Sequence, residues 1–154
     1  MPNDPSQLDS FDRAILDILR SDGRISITEL SGRIGLSKTP TQARLRRLEA
    51  EGIITGYRAT LDPIRIGRDH VAFVEVKLSD TREAALSAFN AAVRKVPEIE
   101  QCHMLAARFD YLLKVRTEDM SAYREVLAER ISTLPHVAHT STFVAMQAVK
   151  EGGL

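Results

Sequence analysis

The stretch Ser26–Arg58, SITELSGRIGLSKTPTQARLRRLEAEGIITGYR, reads as two short helices joined by a tight turn and followed by a small hairpin. Ser26-x-x-Glu29 is a capping box: the serine oxygen and the glutamate carboxylate each satisfy a backbone N–H left over at a helix start. Leu30 and Ile34, one helical turn apart, share the inner side, and Gly35 closes the helix in a left-handed conformation that other residues resist. Ser37 is a second N-cap. Pro40 falls in the first turn of the next helix, where a missing N–H costs nothing. The pattern is a helix-turn-helix.

At about 100° per residue, Leu45 and Leu48 set the core direction of the second helix, and Thr41 falls almost on it. Thr39, Ala43, Arg46 and Arg47 then point outward, with Gln42 and Arg44 on the flanks. Such a face suits a DNA major groove, since Ala permits close approach, Arg pairs with guanine edges or phosphates, and Gln addresses adenine. Ser37, Lys38 and the helix N-terminus are placed to hold a phosphate. After Gly52, residues Ile53 to Arg58 read as strand, turn and strand, the wing of a winged helix, with Arg58 as its phosphate contact. A solvated, salt-laced helix is the plainer alternative, because Glu49 and Glu51 temper the charge.

Across all 154 residues, 21 basic side chains balance 21 acidic ones, so overall charge selects no partner. Locally, Lys38, Arg44, Arg46, Arg47 and Arg58 face only Glu49 and Glu51, a surplus of three positive charges. A neutral chain with one basic face gains DNA affinity by presenting several such faces together, which favours a dimer or larger assembly. The single Cys102 allows no intramolecular disulfide and suits a reducing compartment. No apolar run approaches the roughly 20 residues that span a bilayer, and residues 1–7 read as a frayed tail without signal-peptide character, so the expected location is the cytoplasm. Five Phe, three Tyr and no Trp offer little stacking surface, which favours duplex over single-stranded nucleic acid.

Upstream, Asp9 caps a first helix whose inner stripe is Phe11, Ile15, Ile18 and Leu19, and which ends at Ser21-Asp22-Gly23-Arg24. The expected DNA-binding domain is therefore residues 8–62, followed by a linker over 63–70 and a second domain over 71–150. Within that second domain, Val96-Pro97-Glu98-Ile99 and Leu134-Pro135-His136-Val137 repeat one pattern 38 residues apart. Each follows a helix-period stretch and precedes a strand-like one. Strands over 71–78, 99–107, 111–117 and 137–149, with helices carrying Leu86, Phe89 and Val93 or Tyr123, Leu127, Ile131 and Leu134, give βαβ twice. The expected fold class is α+β, a winged helix-turn-helix followed by a ferredoxin-like βαββαβ domain. Ala72, Val74, Val76 and Leu78 should face its helices, and the semi-apolar last strand leaves an open sheet face that a second copy can cover.

From Leu8 to Lys150 the chain resembles the leucine-responsive and asparagine-type, or feast/famine, transcription regulators. The resemblance lies in LDSFDRAILDILRSDGRIS, in ELSGRIGLSKTPTQARLRRLEAEGIITGYRATLDP and in FDYLLKVRTEDMSAYREVL. It implies a sequence-specific regulator of amino-acid metabolism rather than an enzyme, with double-stranded DNA as partner and no cofactor. It also implies a ferredoxin-like domain that binds an amino-acid effector of the leucine or proline class, and homodimers that assemble into tetramers or octamers. The family's effector loop maps to Ala106, Ala107, Arg108, Phe109, Asp110 and Tyr111, with Thr140 and Thr142 as secondary candidates; Ser141 lies between them. Asp110 and Tyr111 keep the family pattern, but Ala107 stands where a Gly is usual and Arg108 where an acidic residue is frequent. Two readings follow. Arg108 grips the effector carboxylate while Asp110 receives its ammonium, or both belong to a surface turn and effector response is altered.

Other chemistry finds little support. His136 and His139 are three apart on a strand, and Cys102 adjoins His103, so neither pair converges on a metal. No phosphate-cradling or nucleophile-elbow motif occurs. The enzyme alternative is a sirohaem-decarboxylase-like protein of the same architecture, which needs a basic, His-bearing cleft; His70 and His103 form no recognisable cluster. A third possibility is an amino-acid-sensing module without DNA binding, which the intact segment Ser37–Arg47 argues against.

Overall fold

The computed structural model describes residues 8–152. The chain divides into two compact units, one reaching to Thr60 and one beginning at Leu61. The expectation of a frayed tail at 1–7 falls outside the described residues.

In the first unit, α1 (Ser10–Ser21) opens on a full capping box in which the Asp9 carboxylate accepts the Asp12 N–H and Asp12 returns the bond to Asp9 N. Helix α2 (Ile27–Ile34) is capped by Ser26, whose oxygen accepts from Glu29 N–H. The reciprocal half of that expected box is missing, because the Glu29 carboxylate turns to Arg33 at 2.6 Å. Gly35 ends α2 at φ 74°, as the breaker pattern requires. Helix α3 (Lys38–Ala50) follows with Pro40 in its first turn. Ile15, Leu30 and Leu48, one from each helix, are fully buried and form the centre of a small core that Leu16, Leu19, Ile34, Leu45 and Ile53 extend. Helices this short are unstable alone and depend on that shared core.

The second unit contains β1 (His70–Leu78), α4 (Glu83–Val93), β2 (Ile99–Met104), β3 (Tyr111–Thr117), α5 (Met120–Val126) and β4 (Val137–Val144). Its antiparallel sheet has the order β2-β3-β1-β4, the ferredoxin-like arrangement expected from the repeated βαβ pattern. Alternation along β1 buries Ala72, Val74, Val76 and Leu78 against Phe89 and Val93 of α4 and Tyr123 and Val126 of α5. Burying each large apolar side chain there contributes roughly 1.5–3 kcal/mol. Helix α5 widens into a π-helical turn over Leu127–Ile131, which carries Ile131 into the same core.

Two strands stop short of expectation. β2 ends at Met104, where Leu105 N–H closes a tight loop on Asp110 O. β4 ends at Val144 rather than 149. One further bond, Ala145 N–H to Val71 O, follows, and the chain then brings Glu151 to Lys114 and Arg116 of β3. A carboxylate shared by two cations thus takes the place of the edge-strand ladder expected over 145–149.

Candidate nucleic-acid interface and effector loop

Helix α3 presents its faces as the periodicity requires. Thr41 and Leu48 are fully buried, while Lys38, Thr39, Gln42, Ala43, Arg46 and Arg47 are exposed. Ser37 occupies the N-cap, but its hydroxyl makes no cap bond; its carbonyl instead accepts from Thr41 N–H and, at 2.9 Å, from Thr41 Oγ1. The expected Ser37 side-chain cap is therefore corrected, although the first N–H groups of α3 remain open to an anion.

The arginines separate into two kinds. Asp12, only 2 % exposed at its side chain, accepts Arg44 Nη1 on Oδ1 at 2.9 Å and Arg47 Nη2 on Oδ2 at 2.6 Å. Arg44 Nη1 also reaches Asp9 at 2.6 Å, and its guanidinium lies 5.4 Å from the centre of the Phe11 ring. Burial pushes the Asp12 carboxyl up, but the bonds from Arg47 and Arg44 outweigh it and leave the group below its ordinary value. The same pairing, with Asp9 first, pushes Arg44 higher still. Arg47 is expected to point outward and Arg44 to lie on the flank, both as cations open to DNA; both are instead tied to α1, with Arg47 still half exposed. Among the described residues, Lys38, Arg46 and Arg58 have no ion-pair partner. Asp9 and Asp12 are the contributors that a reading of α3 alone missed, and their signal was two carboxylates three apart at a helix start.

The wing takes a different form from the expected hairpin. Residues 53–60 form no strand. Ile53 and Ile54 N–H both donate to Leu48 O at 3.0 Å, and Tyr57 Oη donates to Glu49 at 2.7 Å. These bonds fold the segment back on the end of α3, so Arg58 sits on an exposed stretch rather than on a ladder. Partial burial and the neighbouring Glu49 push the Tyr57 phenol up to about 12.

In the second unit, Ala106, Ala107, Arg108 and Phe109 form the turn between β2 and β3. Ala107 lies outside the left-handed region; among the described residues His136 is the non-glycine residue at positive φ, so the strain anticipated for Ala107 does not arise. Arg108 is 82 % exposed at its side chain and only loosely near Glu75, at 3.6 Å. Asp110 is already engaged: Oδ2 accepts Leu78 N–H at 2.8 Å and Oδ1 accepts Lys77 Nζ at 3.1 Å.

Tyr111 points into the core, where it packs on Phe89 and donates to Asn90 Oδ1 at 2.9 Å. Thr142 shares a hydrogen bond with Tyr123 Oη, and Thr140, opposite Val76, lies on the same helix-facing side of the sheet. The structure thus brings Ala106–Asp110 together and turns Tyr111, Thr140 and Thr142 toward the helices. Strand alternation explains the split, since Tyr111 pairs with Val76 and Thr142 with Val74, both core positions.

Cys102 packs against the core, and burial pushes its thiol up, away from the nucleophilic form. No cluster of three metal-capable side chains occurs among the described residues, and none of their helices is long and apolar enough to cross a membrane.

Residues 8–55 match the model for a winged helix-turn-helix DNA-binding domain, and residues 71–154 match the Lrp/AsnC ligand-binding domain. The chain is 63% identical over 147 residues to a proline dehydrogenase transcriptional activator of Rhizobium radiobacter, covering 96% of this chain and 94% of that one. It is 49% identical over 144 residues to the leucine-responsive regulatory protein of Escherichia coli K12, covering 94% and 88% respectively. A crystal structure of a Neisseria meningitidis transcriptional regulator in complex with L-methionine superposes with a TM-score of 0.87 at 32% identity, covering 94% of each chain. These relatives are regulators rather than enzymes. With a DNA-binding helix-turn-helix followed by an amino-acid ligand-binding domain, this chain belongs to the Lrp/AsnC family of transcription regulators.

Proposed function

We propose that this regulator reads duplex DNA through the outward line Thr39, Ala43 and Arg46 of α3, flanked by Gln42, with Lys38 and Arg58 on the phosphates. The observation that carries this reading is the exposed Arg46 guanidinium, without an ion-pair partner among the described residues, beside an Ala that lets the helix approach a groove. Its regulated process is amino-acid catabolism, proline degradation first. The higher identity to the proline dehydrogenase activator than to the leucine-responsive protein supports that choice. The regulator acts in the cytoplasm as a homodimer assembled into a tetramer or octamer. Its effector is an amino acid of the leucine or proline class held at the loop Ala106–Asp110, where the loosely held Arg108 takes the carboxylate and Asp110 shapes the turn.

A gel-shift titration on the upstream region of the cell's own proline dehydrogenase gene tests the DNA half. Arg46→Ala is expected to weaken the specific shift by at least about tenfold, the worth of one good base contact, without changing the oligomer. Unchanged affinity overturns the assigned face. For the effector half, calorimetry of wild type and Arg108→Ala with leucine, proline and methionine should show heat that the variant loses. Absence of heat with all three removes the pocket.

A further inference from the structure

The two carboxylates that open α1 belong to no catalytic or effector site, yet they hold two of the four cations on the recognition helix. Asp12 is buried and divides its oxygens between Arg44 and Arg47, while Asp9 adds a second bond to Arg44. Asp12 itself is fixed from behind, because its Oδ2 also accepts Asp9 N–H and its own N–H donates to Asp9. Two guanidiniums and two carboxylates therefore form one neutral, hydrogen-bonded block spanning α1 and α3. Each arginine has five N–H donors and spends only a few here, so donors remain while charge is cancelled.

We propose that Asp12, assisted by Asp9, is a positioning residue that sets DNA specificity: it holds Arg44 and Arg47 against α1 and withholds their charge from indiscriminate phosphate contact. The inference rests on the DNA-binding reading of α3. The physical reason is an asymmetry between the two modes of binding. Non-specific attraction grows with the net charge presented to the phosphates, whereas base readout depends on where a guanidinium points. Cancelling the charge of two arginines while fixing their direction lowers the first and preserves the second. Arg46, unpaired among the described residues and exposed between them, is then left to read base edges.

The test compares full-length wild type, Asp12→Asn and Asp9→Asn. Each is titrated by fluorescence anisotropy with a mixed-sequence duplex and with a duplex selected from a random pool by the wild type, over a series of salt concentrations. Asp12→Asn keeps the side-chain shape, cancels one negative charge and turns an amide toward a guanidinium, which releases an arginine. The log–log salt slope on the mixed duplex is expected to steepen by about 0.9 for each recognition helix bound. Mixed-sequence affinity should rise about fivefold near 0.15 M salt, the worth of one added phosphate contact. The ratio of selected to mixed affinity should fall by a comparable factor.

A folded Asp12→Asn variant with an unchanged or shallower slope overturns the proposal, since a merely structural carboxylate leaves counterion release alone. If circular dichroism shows that Asp12→Asn does not fold, Asp9→Asn decides. Asn caps a helix as well as Asp, and Asp9 is half exposed, so this variant folds and must steepen the slope, by less. No change there overturns the proposal too. Wild type that enriches no duplex from the pool and does not bind the mixed duplex defeats the DNA-binding reading itself, an outcome distinct from either.

Discussion

Asp110, on the turn between β2 and β3, accepts the backbone N–H of Leu78 at the end of β1 at 2.8 Å, and so anchors the candidate effector loop to the sheet. The N–H of Asp110 donates to Val76 O two residues earlier on the same strand, so one residue is held at both backbone and side chain. The carboxylate that one of the two readings gives to an effector ammonium here accepts bonds from Leu78 and Lys77 that shape the turn carrying Arg108.

Replacing Asp110 separates those roles. Asp110→Ala removes a charged acceptor from a partly buried N–H and is expected to destabilise the ligand-binding unit by about 1.5–3 kcal/mol, measured by urea unfolding. Asp110→Asn keeps an acceptor for Leu78 and should cost less than half of that. It should also retain the calorimetric heat with amino acids. Loss of that heat in a stably folded Asn variant would return the ammonium to Asp110.

Acid should unlatch the DNA-binding unit through Asp9 and Asp12. Both carboxyls lie below their ordinary value: backbone bonding from Asp12 leads for Asp9, and arginine bonding overcomes burial for Asp12. A depressed carboxyl stabilises the fold fully above its unfolded value, near pH 4, and that stability disappears as pH falls through the folded value. Thermal melts of the N-terminal unit should therefore drop between about pH 5 and about pH 2. Asp12→Asn should flatten that limb, and an equally steep limb in the variant excludes Asp12 as its source.

The three-helix core is small enough for one residue to decide its fate. Leu48 is fully buried against Ile15 and Leu30. Leu48→Ala should cost about 2–5 kcal/mol and unfold the first unit at moderate temperature. Near-ultraviolet signals from Tyr111 and Tyr123, both in the second unit's core, should persist when that of Tyr57 is lost. Simultaneous loss of all three contradicts a core of its own for each unit.

The local grammar of this chain was legible before any coordinates. Asp9, Ser26 and Gly35 mark helix boundaries because capping and left-handed backbone depend on neighbours within one turn. The buried set of β1 and the inner stripes of α4 and α5 follow from side-chain periods that the backbone imposes. The sheet order followed from the repeated βαβ pattern and the chirality of its crossovers.

What local pattern could not determine was which polar groups meet. Arg44 and Arg47 lie 32 to 35 residues from the aspartates that hold them. The wing returned to Glu49 instead of pairing with itself, and Thr142 shares a hydroxyl–hydroxyl bond with Tyr123. Capping and periodicity are properties of consecutive residues, so the sequence by itself determined the helices, the buried sides of the sheet strands and which side of α3 turns outward, but not where β2 and β4 end or that the wing forms no ladder. Ion pairs and buried hydroxyl bonds form between side chains that only packing brings within about 3 Å; the tertiary structure alone decided which arginines of α3 are held by α1 and that Arg46 has no ion-pair partner among the described residues.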